Sequence, residues 1–425
     1  MDGSWTISSV VFGFIVLLII LLGVVIWSVR RHRDPELKIE CDSPIDKLVP
    51  TLAGLTLGTA LDGNCVEVLE NGACFDVMIE RIGKARESVH YETFLWSGGK
   101  LGKRMAKAFS ERARAKVQVR IMLDDNGSKN IGKDEREMME KAGVKLHFFH
   151  QKSLNNIGVL NDRTHRKMLI VDGKEAFVGG HCVVDTWLGD AEDHKHFGDV
   201  SVHVRGPIVH SVQGAFSENW AGETGELFVG LDVFPRLVPA GDITMHLVFA
   251  KPENSAPAVK ILHHTAICLA QKRIRIQNPY FIPEPAAIDA FGAAVKRGVD
   301  VRVLMPATSG SDNPMVQHAG HRNYEKLLRN GVRLFEYPHT LLHQKVMTVD
   351  GVYSLVGSTN FDDRSFETND EVTLGILDAK TAERLDSVFE KYVARANEIN
   401  LEEWKKRSLW HKVKDHAAYS IHDLL

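Results

Sequence analysis

Cysteine is scarce in this chain. Five are present in 425 residues (Cys41, Cys65, Cys74, Cys182 and Cys268), with no CxxC spacing. That argues against a disulfide framework and against a structural zinc site, and leaves buried or free thiols. Net charge is also small, −3 at pH 7. The field of the whole protein does not advertise an anionic partner, so any attraction for phosphate must be local. A near-neutral chain is a poor fit to the basic, aromatic-lined groove of a nucleic-acid binder, and nucleic acid is not an expected partner. No HExxH and no carboxylate cluster of metal-ligand spacing occurs, so no metal and no other cofactor is expected. Nothing in the sequence assigns an oligomeric state.

One long apolar run stands out. Val10 to Trp27 is broken only by Gly13 and Gly23. At ~1.5 Å per helical residue it reaches about 27 Å, enough to span a hydrocarbon core. Trp5 and Trp27 flank it as interfacial aromatics. No basic segment precedes it and no small-residue cleavage site follows, so an anchor is expected rather than a removed leader. Arg30, Arg31 and Arg33 come next, which puts the following body in the cytoplasm. Residues 1–33 thus read as a membrane anchor. Residues 34–60, with Pro35 and Pro44, read as a juxtamembrane linker.

The rest of the chain falls into two similar halves, 61–235 and 242–395, joined where Pro235, Pro239 and Gly241 cluster. In the first half, Cys65–Leu69 reads as a strand, Asn71-Gly as a turn and Ala73–Ala85 as an amphipathic helix. Ser88–Trp96 and Val117–Leu123 read as strands, Gly102–Ala115 and Glu135–Ala142 as helices, with Gly143 as a C-cap. The order recurs in the second half: Arg273-Ile-Arg-Ile matches Ser88-Val-His-Tyr, and Gly298-Val-Asp-Val-Arg matches Lys116-Val-Gln-Val-Arg. Strands alternating with helices predict an α/β fold of two pseudo-symmetric lobes, each a mostly parallel or mixed sheet flanked by helices. The tail, 396–425, mixes Trp404 and Trp410 with Lys405, Lys406, Arg407, Lys412 and Lys414. It reads either as a helix packed on the body or as a contact with an anionic membrane surface.

Each half carries one chemical motif. His165, Lys167 and Asp172 recur 178 residues later as His343, Lys345 and Asp350. His and Lys two apart on a strand share a face. Two such couples make a cationic cage with two imidazoles, which suits a phosphodiester. The lysines offset charge on the phosphoryl oxygens, one neutral histidine attacks phosphorus and one protonated histidine donates to the leaving oxygen. Ser358 and Asn360 offer further polar contacts. Asp172 and Asp350 sit in Val-Asp-Gly turns, where turn formation and lobe packing are the expected job. Arg163 is placed to assist at the phosphate or headgroup, or to form a structural ion pair.

These residues resemble the HxKxxxxDxxxxxxG[SG]xN signature of the phospholipase D superfamily. The second copy meets it in full, and the first has Cys182 in place of Asn. That departure predicts fewer phosphate contacts in the first half, with neighbouring His181 either a substitute or a packing residue. The stretches Asn278-Pro-Tyr-Phe-Ile-Pro and Val356-Gly-Ser-Thr-Asn-Phe-Asp-Asp-Arg-Ser-Phe, among others, look like bacterial cardiolipin synthases. The resemblance covers about Leu61 to Leu425. It implies transfer of a phosphatidyl group from one phosphatidylglycerol to another in the bacterial inner membrane, with phosphatidylethanolamine or a free alcohol as other acceptors. His165 is then the nucleophile and His343 the general acid. A carboxylate downstream of each motif orients each imidazole, and the expected partners are Asp199 for His165 and Glu371 for His343. A hydrolase releasing phosphatidic acid, a membrane-tethered nuclease and an inactive scaffold are the alternative readings.

Overall fold

A computed structural model describes residues 9–21, 37, 39, 41, 43–150, 163–250 and 257–420. Two units separate, 1–38 and Ile39–Leu425. In the first, residues 9–21 form a helix with every side chain exposed. Residues 22–27 of the expected span, and Arg30, Arg31 and Arg33, lie outside the described residues. Among the described residues no helix is long and apolar enough to cross a membrane.

The second unit is built on one 15-stranded sheet. The first half supplies β1 (Leu61–Glu70), α1 (Ala73–Lys84), β2 (Ser88–Thr93), α2 (Lys100–Arg114), β3 (Gln118–Asp124), α3 (Lys133–Ala142), β4 (Lys145–Phe149), β5 (Met168–Val171), β6 (Glu175–Gly179), β7 (Val200–Arg205) and α4 (Ile208–Thr224). The second repeats the order with β8 (Ile243–Ala250), α5 (Ala258–Leu269), β9 (Arg273–Gln277), α6 (Pro285–Lys296), β10 (Asp300–Pro306), α7 (Pro314–Arg329), β11 (Arg333–Tyr337), β12 (Val346–Val349), β13 (Tyr353–Gly357), β14 (Glu371–Leu377) and α8 (Ala379–Val393). A short edge strand β15 (Asn397–Glu398) and helix α9 (Leu409–Tyr419) close the chain. Across the sheet the order is β15-β11-β10-β9-β12-β13-β14-β8-β1-β7-β6-β5-β2-β3-β4. Strand n of one half therefore sits where strand n + 7 sits in the other, and the seam is the β1–β8 pair.

Of the two expected forms, mostly parallel or mixed, the sheet takes the mixed one. Only β2-β3-β4 and β9-β10-β11 are parallel, while the other ladders are antiparallel. The cause is local. β5–β6 and β12–β13 are joined by Val-Asp-Gly turns whose Asp172 and Asp350 take positive φ of 53° and 55°, too short for a helical crossover. Each aspartate also accepts from three backbone amides at the start of the adjacent antiparallel strand, β2 or β9: Arg86, Glu87 and Ser88 for Asp172 and Gln271, Lys272 and Arg273 for Asp350. They staple strands and touch neither imidazole.

The segment read as a linker is partly core. Val49–Leu55 is helical, and Ile45, Val49 and Leu52 are buried with Val259, Leu262 and Ala266 of α5. Its apolar spacing is too short to stand out in the sequence. The tail packs as well: Trp404 is buried on Tyr324 of α7. Leu409, Trp410 and Val413 remain exposed.

Candidate active site

His165 and Lys167 lie in extended chain immediately before β5, and His343 and Lys345 immediately before β12. Parallel bridges cross between the halves at these points. His165 N–H donates to Asp370 O at 2.9 Å and Asp370 N–H to Arg163 O at 2.9 Å, while His343 N–H donates to Gly198 O at 2.6 Å. The segment before one half's β5 is thus held against the entry of the other half's β14, and the segment before β12 against the entry of β7.

That crossing corrects the expected pairing of the carboxylates. His165 Nδ1 lies 2.8 Å from Glu371 Oε1 of the second half, and His343 Nδ1 lies 2.8 Å from Asp199 Oδ2 of the first. Each carboxylate was assigned to the histidine of its own half, and each serves the other. Trp187 Nε1 donates to Asp199 at 2.8 Å. Ser358 Oγ donates to Glu371 and, through Val372 N–H at 3.1 Å, is itself fixed to β14. Ser358 therefore sits behind the imidazole as a partner of the carboxylate, not at the phosphate position expected for it. Gly180 occupies its place in the first half, because a Cβ there would lie 2.3 Å from Asp199 Oδ1. Gly180→Ala is expected to push Asp199 off His343 and lower kcat by about 10²-fold, the scale of a 1 Å misplacement. Steady-state assay of the folded variant checks this.

Both histidines and both lysines are buried. Burial, then the charges of Lys167 and Lys345, holds His165 well below the usual imidazole range. Burial and Lys345 bring His343 down to about 4 against the pull of Asp199. Lys345, from the other half, acts on His165, and Lys167 acts on His343, so the four groups share one field. Burial takes Lys345 down to about 7 and lowers Lys167. The carboxylates differ. Burial pushes Glu371 up to about 7 against the pull of Lys167. Burial also raises Asp199, but His343 and His181 overcome it and take Asp199 down to about 2.

A cavity of about 300 Å³ opens beside His165, walled by Phe94, Tyr280, Ile282 and Val316 and carrying Arg163, Asn360 and Arg364. Arg163 Nε and Asn360 Oδ1 are buried with no hydrogen-bond partner among the described residues. Arg364, whose charge helps depress His165, was not picked out from the sequence. It stands in the Asp-Asp-Arg-Ser-Phe stretch, after the signature's last position at Asn360. Cys182 leaves the first half without an equivalent of Asn360: it is buried in the first half's apolar core. His181 does not replace it. Both of its ring nitrogens are taken, by Ser201 Oγ at 2.7 Å and Asn71 O at 2.9 Å, so it is a packing residue.

Two His-x-Lys couples on a duplicated mixed sheet, each histidine backed by a carboxylate, define a phosphoryl-transfer centre of phospholipase D type. The family described as "Cardiolipin synthase, PLD-like domain" matches residues 78–184 and 264–393. The chain is 34% identical over 345 residues to cardiolipin synthase A of Pseudomonas putida, covering 81% of this chain and 71% of that one. It is 30% identical over 368 residues to the major cardiolipin synthase ClsA of Bacillus subtilis, covering 86% and 76%. The phosphatidylserine synthase structure from Haemophilus influenzae shares the fold, with a TM-score of 0.62 at 13% identity over 84% of this chain and 93% of that one. The chain belongs to the cardiolipin synthase family of PLD-like proteins.

Proposed function

We propose that this protein is a phosphatidyltransferase that makes cardiolipin from two phosphatidylglycerol molecules, with release of glycerol. The supporting observation is geometric: in a chain of this family, each His-x-Lys imidazole stands 2.8 Å from a carboxylate of the other half. The opposite tendencies of the two carboxylates then assign the roles. Asp199 is held ionised behind His343, which favours the imidazolium once a phosphate anion offsets the nearby lysines. His343 is then the proton donor. Glu371, pushed up to about 7, faces His165. With Glu371 ionised and accepting the Nδ1 proton, the Nε2 lone pair of His165 is left for attack on phosphorus.

In the first step His165 Nε2 bonds to phosphorus, the P–O bond to the outgoing glycerol breaks and His343 supplies that oxygen with a proton. In the second, neutral His343 takes the proton of the acceptor lipid's terminal hydroxyl, which displaces His165 from phosphorus. Lys167 and Lys345 offset the charge of the phosphoryl oxygens in both steps. Arg163 and Asn360, with unused polar atoms at the cavity, are the further phosphate or headgroup contacts. One phosphodiester replaces another, so water must be kept from the phosphatidyl intermediate, where it would yield phosphatidic acid; Phe94, Ile282 and Val316 are the apolar part of an otherwise largely polar cavity wall.

Residues 10–27 are assigned as a single-pass anchor in a bacterial inner membrane with the body on the cytoplasmic side, on their apolar length and on Arg30, Arg31 and Arg33. The exposed Leu409, Trp410 and Val413 beside Lys412 and Lys414 suit a second, interfacial contact. Purified protein in vesicles of phosphatidylglycerol alone is expected to release glycerol and cardiolipin in equal amounts. Phosphatidic acid as the main product overturns the transferase reading. Vesicles that add phosphatidylethanolamine test whether its amino alcohol is accepted.

A further inference from the structure

Away from the cavity, α7 and α9 bring four metal-ligating side chains together. His318 and His321 lie one turn apart on α7, and His411 and Asp415 one turn apart on α9, so each pair shares a helix face. One ligand atom from each lies within 4.8 Å of all the others. The ring centroids are 5.3 Å apart for His318 and His411, 5.6 Å for His318 and His321, and 6.0 Å for His321 and His411. Asp415 is buried, with Oδ1 2.9 Å from His318 Nδ1 and 3.7 Å from His321 Nδ1.

The second observation is what these rings leave unused. His321 is 4% exposed, and among the described residues its Nδ1 has no hydrogen-bond partner; neither has His411 Nε2. The other nitrogen of His321, Nε2, is held 3.0 Å from Glu336 Oε1 of β11. A carboxylate on the far nitrogen is how metal-bound imidazoles are commonly oriented. Arg407 Nη1 binds the second oxygen of Asp415 at 2.6 Å, which steers Oδ1 inward. The groups bonded to the rings and to Asp415, namely Asp415 and Glu336 against Arg407, sum to one negative charge, while the adjoining cavity adds Arg322, Lys326, Arg329 and Lys412 against Glu325.

We propose that His318, His321, His411 and Asp415 form a zinc site that clamps the C-terminal helix α9 to α7. Three nitrogens and one oxygen suit Zn²⁺ in tetrahedral geometry, at ~2.0–2.2 Å from each ligand. Such ligands stand about 3.3 Å from one another, so the cage contracts on loading, mostly by rotation of the less buried His411. The site revises the expectation from cysteine and motif counts that the chain holds no metal. It is structural and separate from the phosphoryl chemistry. Its reach to the active site is mechanical: Ala418 of α9 packs with Ile282 and Val316, and both of these line the cavity beside His165.

The test is zinc titrated into the chelator-stripped full-length chain in detergent, against a chromophoric competitor, with bound metal counted by mass spectrometry. No lipid turnover is involved, so the outcome is independent of the assigned reaction. About one zinc per chain is expected. His318→Gln and His411→Gln, on different helices, should each weaken binding by about 100-fold or more, and Glu336→Gln by about 10–100-fold. Zinc should raise the unfolding temperature of the wild type and not of His411→Gln. Wild-type protein that takes up no zinc overturns the proposal without reference to any variant. Uptake that is equal in wild type and a folded His411→Gln also overturns it.

Discussion

His165→Ala and His343→Ala should both abolish cardiolipin formation, yet differ on a substrate that needs no acid. Each imidazole is buried and carries its own carboxylate at 2.8 Å, so neither can stand in for the other. General acid–base help is worth about 10²–10⁴-fold, and losing the nucleophile removes the covalent route altogether. A phosphatidyl ester of nitrophenol has a leaving group that departs unprotonated. His343→Ala should therefore release one burst of nitrophenolate per active chain and stall with the phosphatidyl group on His165, because the base of the second step is gone. His165→Ala should give no burst. A burst from His165→Ala, with the adduct on His343, would exchange the two roles.

The second large effect is on pH. Glu371, pushed up to about 7, is protonated below that value and then cannot accept the Nδ1 proton of His165. Lys345, brought down to about 7, is neutral above that value and loses its grip on the phosphoryl oxygens. With the phosphate anion bound and His343 protonated, turnover needs Glu371 ionised and Lys345 charged, and kcat should fall on both sides of an optimum. That parameter reports groups of the enzyme–substrate complex. Glu371→Gln should remove the acid limb and lower kcat by on the order of 10²–10⁴-fold. Lys345→Arg should move the alkaline limb beyond the measurable range, since a guanidinium stays charged. An unchanged acid limb in Glu371→Gln would assign that limb to another group.

The motif spacing singles out His165, Lys167, His343 and Lys345, and the fold buries all four where the lysine of each half acts on the histidine of the other. The carboxylate partners were identified as residues but matched to the wrong histidines. Sequence proximity favours partners within a half, whereas the bridges at Thr164–Asp370 and Gly198–Leu342 join segments 206 and 144 residues apart. The roles of Ser358 and Gly180 follow from that same crossing and were equally invisible. Strand and helix positions in the first half were legible from periodicity. The antiparallel majority was not, since strand periodicity says nothing of direction and the short turns at Asp172 and Asp350 decide it. The four ligands on α7 and α9 have helical spacing within each pair, but 90 residues separate His321 from His411, and only packing reveals that they meet.

The crossed pairing has an evolutionary corollary. One ancestral half alone would have had an imidazole and a carboxylate each lacking the partner it has here. Two identical copies related by a dyad would have completed both catalytic pairs at a stroke. Fusion of two such copies would leave them free to diverge, one carboxylate as glutamate with Ser358 behind it and the other as aspartate with Trp187. Loss of either half by truncation or fission would dismantle both pairs at once.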